Sequence, residues 1–370
     1  MRLKALEPDM IKPLVIGGSI LGGGGGGAIK EGLKMGKLAF EIGQPSLLAL
    51  DELEDDDMIV TVSAVGAPAA KDQFVQPLDY VETIELIEKV TGRKPKAMIT
   101  NENGGIATVN GFFQSAVTGI PILDVSCNGR AHPTGIMGSM QLNIIEDYES
   151  FQTAVGGRPG TDFRLSQTIQ GSLDTASKLV RQASISAGGF VAVARNPVTK
   201  NYLASNGAVN ALSQAYDVGV AHQYGNSSAE KIDKVVEVLK GKIVCKGAVE
   251  SLVFETVDGF DLGKVVINSG EEKFELTIWN EYMTCENDSG QRLATFPDLL
   301  MTFESESGDP ITSAQLRNGQ ELTVVYTSRD NLILGSGMRL KSNYEVVEQI
   351  LNKEILKYIG DVFEEGDLNQ

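Results

Sequence analysis

Met58-Ile59-Val60-Thr61-Val62-Ser63 is rich in apolar and β-branched side chains, with an acidic run before it and Ala64-Val65-Gly66-Ala67-Pro68 after it. A short run that is apolar on both faces reads as a central strand buried within a sheet. The acidic run, Asp51 to Asp57, reads as a solvated turn. Asp79 to Val90 follows as an amphipathic helix, with Val81, Ile84, Ile87 and Val90 at helical spacing. Lys96 to Thr100 is a second strand, Ile106 to Thr118 a helix, and Ile120 to Val125 a third strand. Strands separated by helices give an α/β fold, a parallel sheet with helices on both faces. Sites in such sheets lie beyond the carboxyl ends of the strands. Two polar loops fall there. One is Asn101-Glu102-Asn103-Gly104-Gly105, and the other runs from Asp124 to Pro133.

Upstream, Pro8 to Ser19 and Ala28 to Leu38 read as helices flanking Gly22 to Gly27, six consecutive glycines. Such a corner can turn successive amides toward an anion, with a helix N-terminus behind them. The plain alternative is a flexible corner. The run is neither a dinucleotide fingerprint, which needs a strand before it, nor a Walker A loop, which needs a following Lys and Ser or Thr. No nucleotide is expected.

Downstream, Gly135 to Ile145 either packs against a second copy of the chain, making a homo-oligomer, or lines the core. Leu165 to Ser186 reads as one long helix, with Ile169, Leu173, Ala176, Val180 and Ala183 on one face. Phe190 to Ala194 reads as a strand, and Ala208 to Ala221 and Ala229 to Leu239 as helices. After Gly241 the pattern turns to alternating strands with Asn-Gly and Ser-Gly turns, a β-rich C-terminal domain. Tyr344 to Ile359 reads as a closing helix, and Glu364 to Gln370 as a disordered tail. The expected division is an α/β domain over 1–160 and, over 161–240, a helical connection that is also part of the core. A β-rich domain covers 241–340, and a helix over 341–360 packs back.

With 370 residues, of which 42% are hydrophobic, the chain can bury a large core. Its net charge of −17 argues against nucleic acid and anionic membranes as partners. The three scattered cysteines form no CxxC pair, and no apolar run reaches membrane-spanning length. A cytoplasmic protein is the simplest expectation.

Of the two histidines, His132 shares its loop with Asp124, Cys127, Asn128 and Arg130. Imidazole serves as base or metal ligand near neutrality. Asp124 can orient it or share a metal, Cys127 can be ligand or nucleophile, and Arg130 can face a developing anion. Against this, Asp124 can simply cap the loop and Cys127 fill space as a small hydrophobe. Glu102, between Asn101 and Asn103, is either a general base or a carboxylate at a helix start. His222 is either a helix cap or a further metal ligand. In Trp279-Asn280-Glu281-Tyr282, Asn280 and Glu281 either reach into a cleft or lie on a solvated edge.

These residues together resemble the S-methyl thiohydantoin desulfurase family, which often accompanies hydantoinase-like or oxoprolinase-like proteins. The marks are Gly22 to Gly27, Glu102 with Gly104-Gly105, and Asp124 through Gly129-Arg130-Ala131 and Pro133. Asn280-Glu281, Phe296-Pro297-Asp298 and Gly308-Asp309-Pro310-Ile311 complete them. The resemblance implies an α/β N-terminal part, a β-rich C-terminal part, and hydrolytic removal of a sulfur substituent from a hydantoin-like ring. The chain departs from the family loop at Ser126, His132 and Thr134. Two carboxylates are absent there, and an imidazole stands in place of an aromatic ring.

The resulting expectation is metal-assisted hydrolysis of a small cyclic amide. Zinc or another divalent ion would be held by His132 with Asp124 or Cys127, and His222 is a further candidate. Glu102 would take the proton of water. Arg130 and the amides of Gly24, Gly25, Gly26 and Gly27 would face the developing charge. Asn103, Asn128, Asn280 and Glu281 are further cleft candidates. The rival is a non-catalytic subunit or small-anion binding module of a hydantoinase-like system.

Overall fold

The structure is a computed structural model that describes residues 2–66 and 70–363. The readings of Ala67 and Pro68 as loop, and of Glu364 to Gln370 as a disordered tail, lie outside the described residues.

The chain opens with helices α1 (Ile11–Leu21) and α2 (Ile29–Ile42), with the glycine corner between them. Strand β1 (Leu47–Leu48), strand β2 (Met58–Gly66) and helix α3 (Pro77–Thr91) follow. Then come β3 (Ala97–Glu102), α4 (Phe112–Thr118), β4 (Ile122–Asn128), β5 (Ser150–Gly156) and β6 (Leu165–Gly171). Next are α5 (Leu173–Ser186), β7 (Phe190–Thr199), α6 (Lys200–Asn206), β8 (Ala208–Val209), α7 (Ala211–Gln223) and α8 (Ser228–Val238). The strands make one sheet in the order β1-β4-β3-β2-β7-β5-β6, with β8 beside β4.

Strands β1, β4, β3 and β2 pair in parallel, and β7, β5 and β6 extend the sheet antiparallel. Alternation along the parallel strands sends side chains to opposite faces. Val60, Val62, Met98 and Ile122 pack with α1 to α4, while Ile59, Ile99, Leu123 and Val125 pack with Leu173 of α5 and Leu203 of α6. Helices therefore cover both faces, as a parallel sheet requires.

One expected helix is shorter than its pattern. Residues 165–171 form β6, paired along its length with β5, and the helix begins only after Ser172. Ser172 accepts a hydrogen bond from the amide of Thr175, so the break is an N-cap. The region expected as a helical connection therefore also supplies three sheet strands, β6, β7 and β8, and β7 lies between β2 and β5. Met137 and Met140 are fully buried and line the core.

The C-terminal part is a second, wholly antiparallel sheet. Its strands are β9 (Lys242–Val257), β10 (Phe260–Asn268), β11 (Lys273–Trp279) and β12 (Glu281–Asn287). They continue with β13 (Arg292–Thr295), β14 (Leu299–Glu304), β15 (Pro310–Ile311) and β16 (Glu321–Thr327). The order is β13-β12-β11-β10-β9-β16-β14-β15. Helix α9 (Lys341–Leu351) stops at Asn352, which is left-handed, rather than continuing to Ile359. Its Tyr344 and Val347 pack against Met137, Trp279 and Phe296, tying the two parts together. Among the described residues no helix is long and apolar enough to cross a membrane.

Helices α1 and α7 touch backbone to backbone. A Cβ on Gly17 would lie 1.8 Å from the Ala215 carbonyl oxygen, and one on Gly219 would lie 1.8 Å from the Pro13 carbonyl oxygen. Alanine inside a helix normally gains about 1 kcal/mol over glycine. Here the helices would have to separate, and overpacking costs about 1–3 kcal/mol or more. Gly219→Ala is therefore expected to lower the urea midpoint. Gly360→Ala, where a Cβ meets nothing within 4 Å, is expected to leave it in place. Equal midpoints would contradict the contact.

Candidate active site

A cleft of about 580 Å³ lies between the carboxyl end of the first sheet and the edge of the second. The glycine corner, the ends of β2 and β3, the loop after β4, one side of α5 and the 312–315 segment surround it. Glu102, His132, Asn280, Glu281 and Gly24 to Gly27 all line it.

Glu102 is the last residue of β3, and His132 lies four residues past the end of β4. Because β3 and β4 are parallel neighbours, their ends fall together. His132 Nδ1 is 3.1 Å from Glu102 Oε2, and the His132 amide donates to the same oxygen at 3.3 Å. Asn101 Nδ2 donates to that oxygen at 3.2 Å. Oε1 carries no hydrogen bond from the described residues, and Glu102 is one of the residues that line the cleft.

Arg195, in β7, sets the orientation of this cluster. Its Nη2 donates to Asn101 Oδ1 at 2.7 Å. A guanidinium has no acceptor, so the amide oxygen of Asn101 must face it and the amide nitrogen must face away. That nitrogen is 3.2 Å from His132 Nε2, which must therefore accept. The proton of the neutral ring then sits on Nδ1, toward Glu102. Burial, with Arg195 nearby, pushes His132 down to about 3. Burial pushes Glu102 up to about 7, against the donors on Oε2 and the charges of Arg195 and Arg130. The contact joins a neutral imidazole to a carboxyl group and is not an ion pair.

The glycine corner has a steric reason. Gly26 lies on Gly104, where a Cβ on either would approach the other's Cα within 2.4 Å. A Cβ on Gly24 would strike the Tyr282 ring at 2.8 Å, and one on Gly25 would strike Glu281 Oε1 at 2.0 Å. The corner's carbonyls bind the rest of the chain. Gly23 accepts from the Tyr282 amide, Gly24 from Ser313, and Gly26 from the amides of Ile106 and Ala107. The amides of Gly24, Gly26 and Gly27 find no acceptor among the described residues, and these three residues line the cleft.

Several expected site residues are placed elsewhere. Asp124 accepts from the amide and hydroxyl of Ser213, at 3.0 and 2.5 Å, and so anchors the first turn of α7. Cys127 is buried in the core, 3.2 Å from the Thr61 hydroxyl, and burial pushes its thiol up to about 11. It is a small hydrophobe rather than a nucleophile. Arg130 gives Nη1 to the carbonyls of Pro297 and Asp298 and stacks on Phe296 at 4.5 Å. It joins the two parts of the chain instead of facing the cleft. Asn103 and Asn128 spend their amides on backbone groups, at Gly129, Ala211, Arg130 and Gly335.

His222 bonds the Gly308 carbonyl at 2.8 Å. It lies nine residues beyond Ser213, roughly 14 Å along α7. Asp124, His132 and His222 thus occupy three separate places, and the metal set expected from them does not assemble. Among the described residues no three His, Cys, Asp or Glu gather as ligands. A zinc site wants three such ligands with free lone pairs, and the committed nitrogens of His132 do not fit one.

Asn101 and Arg195 were missed by the sequence reading. The signal for Arg195 was a charged residue directly after the apolar run Phe190-Val191-Ala192-Val193-Ala194.

Comparison with known proteins finds two matches along the chain. Residues 9–160 match the family model described as S-Me-THD-like, N-terminal domain, and residues 172–338 the model described as S-Me-THD-like, C-terminal domain. A crystal structure of a protein from Chromobacterium violaceum aligns with a TM-score of 0.73 at 20% identity. The alignment covers 94% of this chain and 97% of that one, a likeness of fold. No curated protein matches the chain.

The orientation of Asn101 has a spectroscopic consequence. In a His222→Gln variant His132 is the sole histidine. Long-range ¹H–¹⁵N spectra are expected to show the Nδ1–H tautomer, unchanged between roughly pH 8 and pH 5, because the ring stays neutral well below the usual imidazole range. A ring titrating between those limits would contradict the network.

Proposed function

We propose, for a chain that belongs to the S-Me-THD-like family, that the cleft hydrolyses an S-substituted thiohydantoin or a closely related hydantoin-like ring. The family's name points to chemistry at a thiohydantoin. The observation that carries the reading is Glu102, a cleft-lining residue whose Oε2 is held by three donors while its Oε1 takes no hydrogen bond from the described residues.

In the reaction a ring N=C–SR group and water become a ring NH–C=O group and a thiol. The oxygen of water ends as the new carbonyl, one hydrogen goes to the ring nitrogen and the other to sulfur. Ionised Glu102 takes a proton from water through Oε1 as the oxygen attacks the carbon bearing sulfur, and delivers it to the adjacent ring nitrogen. General-base assistance of this kind contributes about 10²–10⁴-fold. A carboxyl near 7 is well matched to it, since a usual carboxylate is a much weaker base. His132 and Asn101 are positioning residues that keep Oε2 occupied.

The ring nitrogen carries the second ring carbonyl, so charge pushed onto it spreads to that oxygen. The amides of Gly24, Gly26 and Gly27, with the N-terminus of α2 behind them, supply donors for it. The rival reading, a small-anion binding module, is favoured by those same amides and predicts binding without turnover.

Thiol release, followed with a thiol reagent, tests the proposal. The rate at low substrate is expected to rise with pH through about 7 and then level off, because Glu102 acts in its ionised form. Glu102→Gln is expected to lower kcat by about 10²–10⁴-fold and to abolish that limb while binding persists. A variant that keeps both rate and pH limb removes Glu102 from the mechanism. A wild-type protein that binds but never releases thiol leaves the anion-binding reading.

A further inference from the structure

Hydrolysis of a thioether ring needs a second proton. An alkyl thiolate is a poor leaving group, and Glu102 has already given its proton to the ring nitrogen. Glu281, on the opposite wall of the cleft, has the attributes of a donor. It is the first residue of β12 and is only 2% exposed. Its Oε2 is buried with no hydrogen-bond partner among the described residues. A buried carboxyl without a partner is costly unless it holds its proton.

The neighbours of Glu281 are pinned on both sides. The Asn280 amide donates to the Asp261 carbonyl at 2.7 Å, and Asn280 Oδ1 accepts from the Asp261 amide at 2.9 Å. The Ser313 hydroxyl bonds the Asn280 carbonyl at 2.5 Å, while its amide reaches Gly24 at 3.0 Å. The Tyr282 amide donates to Gly23 at 2.8 Å. Position 25 is glycine where Glu281 Oε1 would meet a Cβ at 2.0 Å. The backbone is thus held, room is kept for the carboxyl, and this cleft-lining residue keeps one oxygen unused.

We propose that Glu281 is a second catalytic residue, the acid that protonates the departing sulfur. The assignment rests on the thiohydantoin reading above. When the tetrahedral adduct collapses, the C–S bond breaks and its electron pair stays on sulfur. The proton of Glu281 converts the thiolate to a thiol. The electrons of the adduct's O–H bond become the second C–O bond, and that proton goes to Glu102. Glu281 ends ionised and Glu102 protonated, and proton exchange with water restores both. Burial, followed by the charge of Glu102, raises Glu281 well above the usual carboxylate range against the pull of Arg130 and Arg181, in keeping with a carboxyl that holds its proton where one oxygen has no partner.

The test uses the full chain and two substrates, an S-methyl and an S-(4-nitrophenyl) thiohydantoin. An arylthiolate departs without a proton. Glu281→Gln is expected to lower kcat for the S-methyl ring by about 10²–10⁴-fold and for the S-aryl ring by less than about tenfold. Equal losses on both rings would mean that the variant only distorts the cleft, and would overturn the assignment. No loss on either would overturn it too. Should Glu281→Gln fail to give a cooperative melt, Gly25→Ala displaces the same carboxyl and is expected to show the same split, with the same outcomes against it. Wild-type protein inert on both rings would sink the thiohydantoin reading and this assignment with it. Active wild type with an undisturbed or evenly impaired variant sinks the assignment alone.

Discussion

The contact between Gly26 and Gly104 governs the rest of the molecule. Two backbones meet there with no side chain between them, and a Cβ on either residue would lie within 2.4 Å of the other's Cα. This lets the α1–α2 corner sit against the loop that follows β3, so the start of α2 and the end of β3 share one rim. The same corner reaches the second sheet through Gly23 and Gly24, whose carbonyls take Tyr282 and Ser313. Flexibility is therefore the wrong description of the six glycines. The carbonyls of Gly23, Gly24 and Gly26 bind chain on both sides, and the smallness of the residue opens the space that larger side chains would fill.

Within that space the polar groups are ordered by one residue that cannot accept a hydrogen bond. Arg195 fixes the face of Asn101, Asn101 fixes the tautomer of His132, and His132 completes the donors on Glu102. Each step follows from donor and acceptor counting. The buried charge of Arg195 gains from the same arrangement, since it faces an amide oxygen and lies near Glu102. Opposing influences on Glu102 leave it between an ordinary carboxylate and a permanently protonated acid. The His132 amide, the Asn101 side chain and two guanidinium groups pull it down, and burial, the largest influence, lifts it.

Much of this was legible in the sequence, and the failures have particular causes. The buried strands of the parallel half were visible as apolar runs between helices, and the rule about carboxyl ends pointed to Glu102 and His132. The same rule does not extend backward into a strand. Asp124 and Cys127 belong to β4 itself, so alternation sends one toward α7 and the other into the core beneath the sheet. Helical spacing misread residues 165–171 because Ile169, Leu173 and Ala176 also suit a strand followed by a capped helix. The stop lay in Gly171-Ser172, where a serine caps the helix that follows. Tertiary pairing with β5 decided the matter. The Asn101 and Arg195 contact spans 94 residues of chain, and no local pattern carries it.

The division of labour across the cleft has a consequence for how the chain must work. Glu102, His132 and the glycine corner come from the segment matched by the N-terminal family model, and Arg195, Asn280 and Glu281 from the segment matched by the C-terminal one. Yet β7, which carries Arg195, lies between β2 and β5 of the first sheet. The second segment is thus threaded through the core of the first before it builds its own sheet. Arg130, from the first segment, reaches the carbonyls of Pro297 and Asp298, and His222 reaches Gly308. These contacts hold the two sheets at one spacing. The proposed action of a carboxyl from each wall on one small ring requires that spacing, so the connections distant from the cleft matter to it as much as the residues that line it.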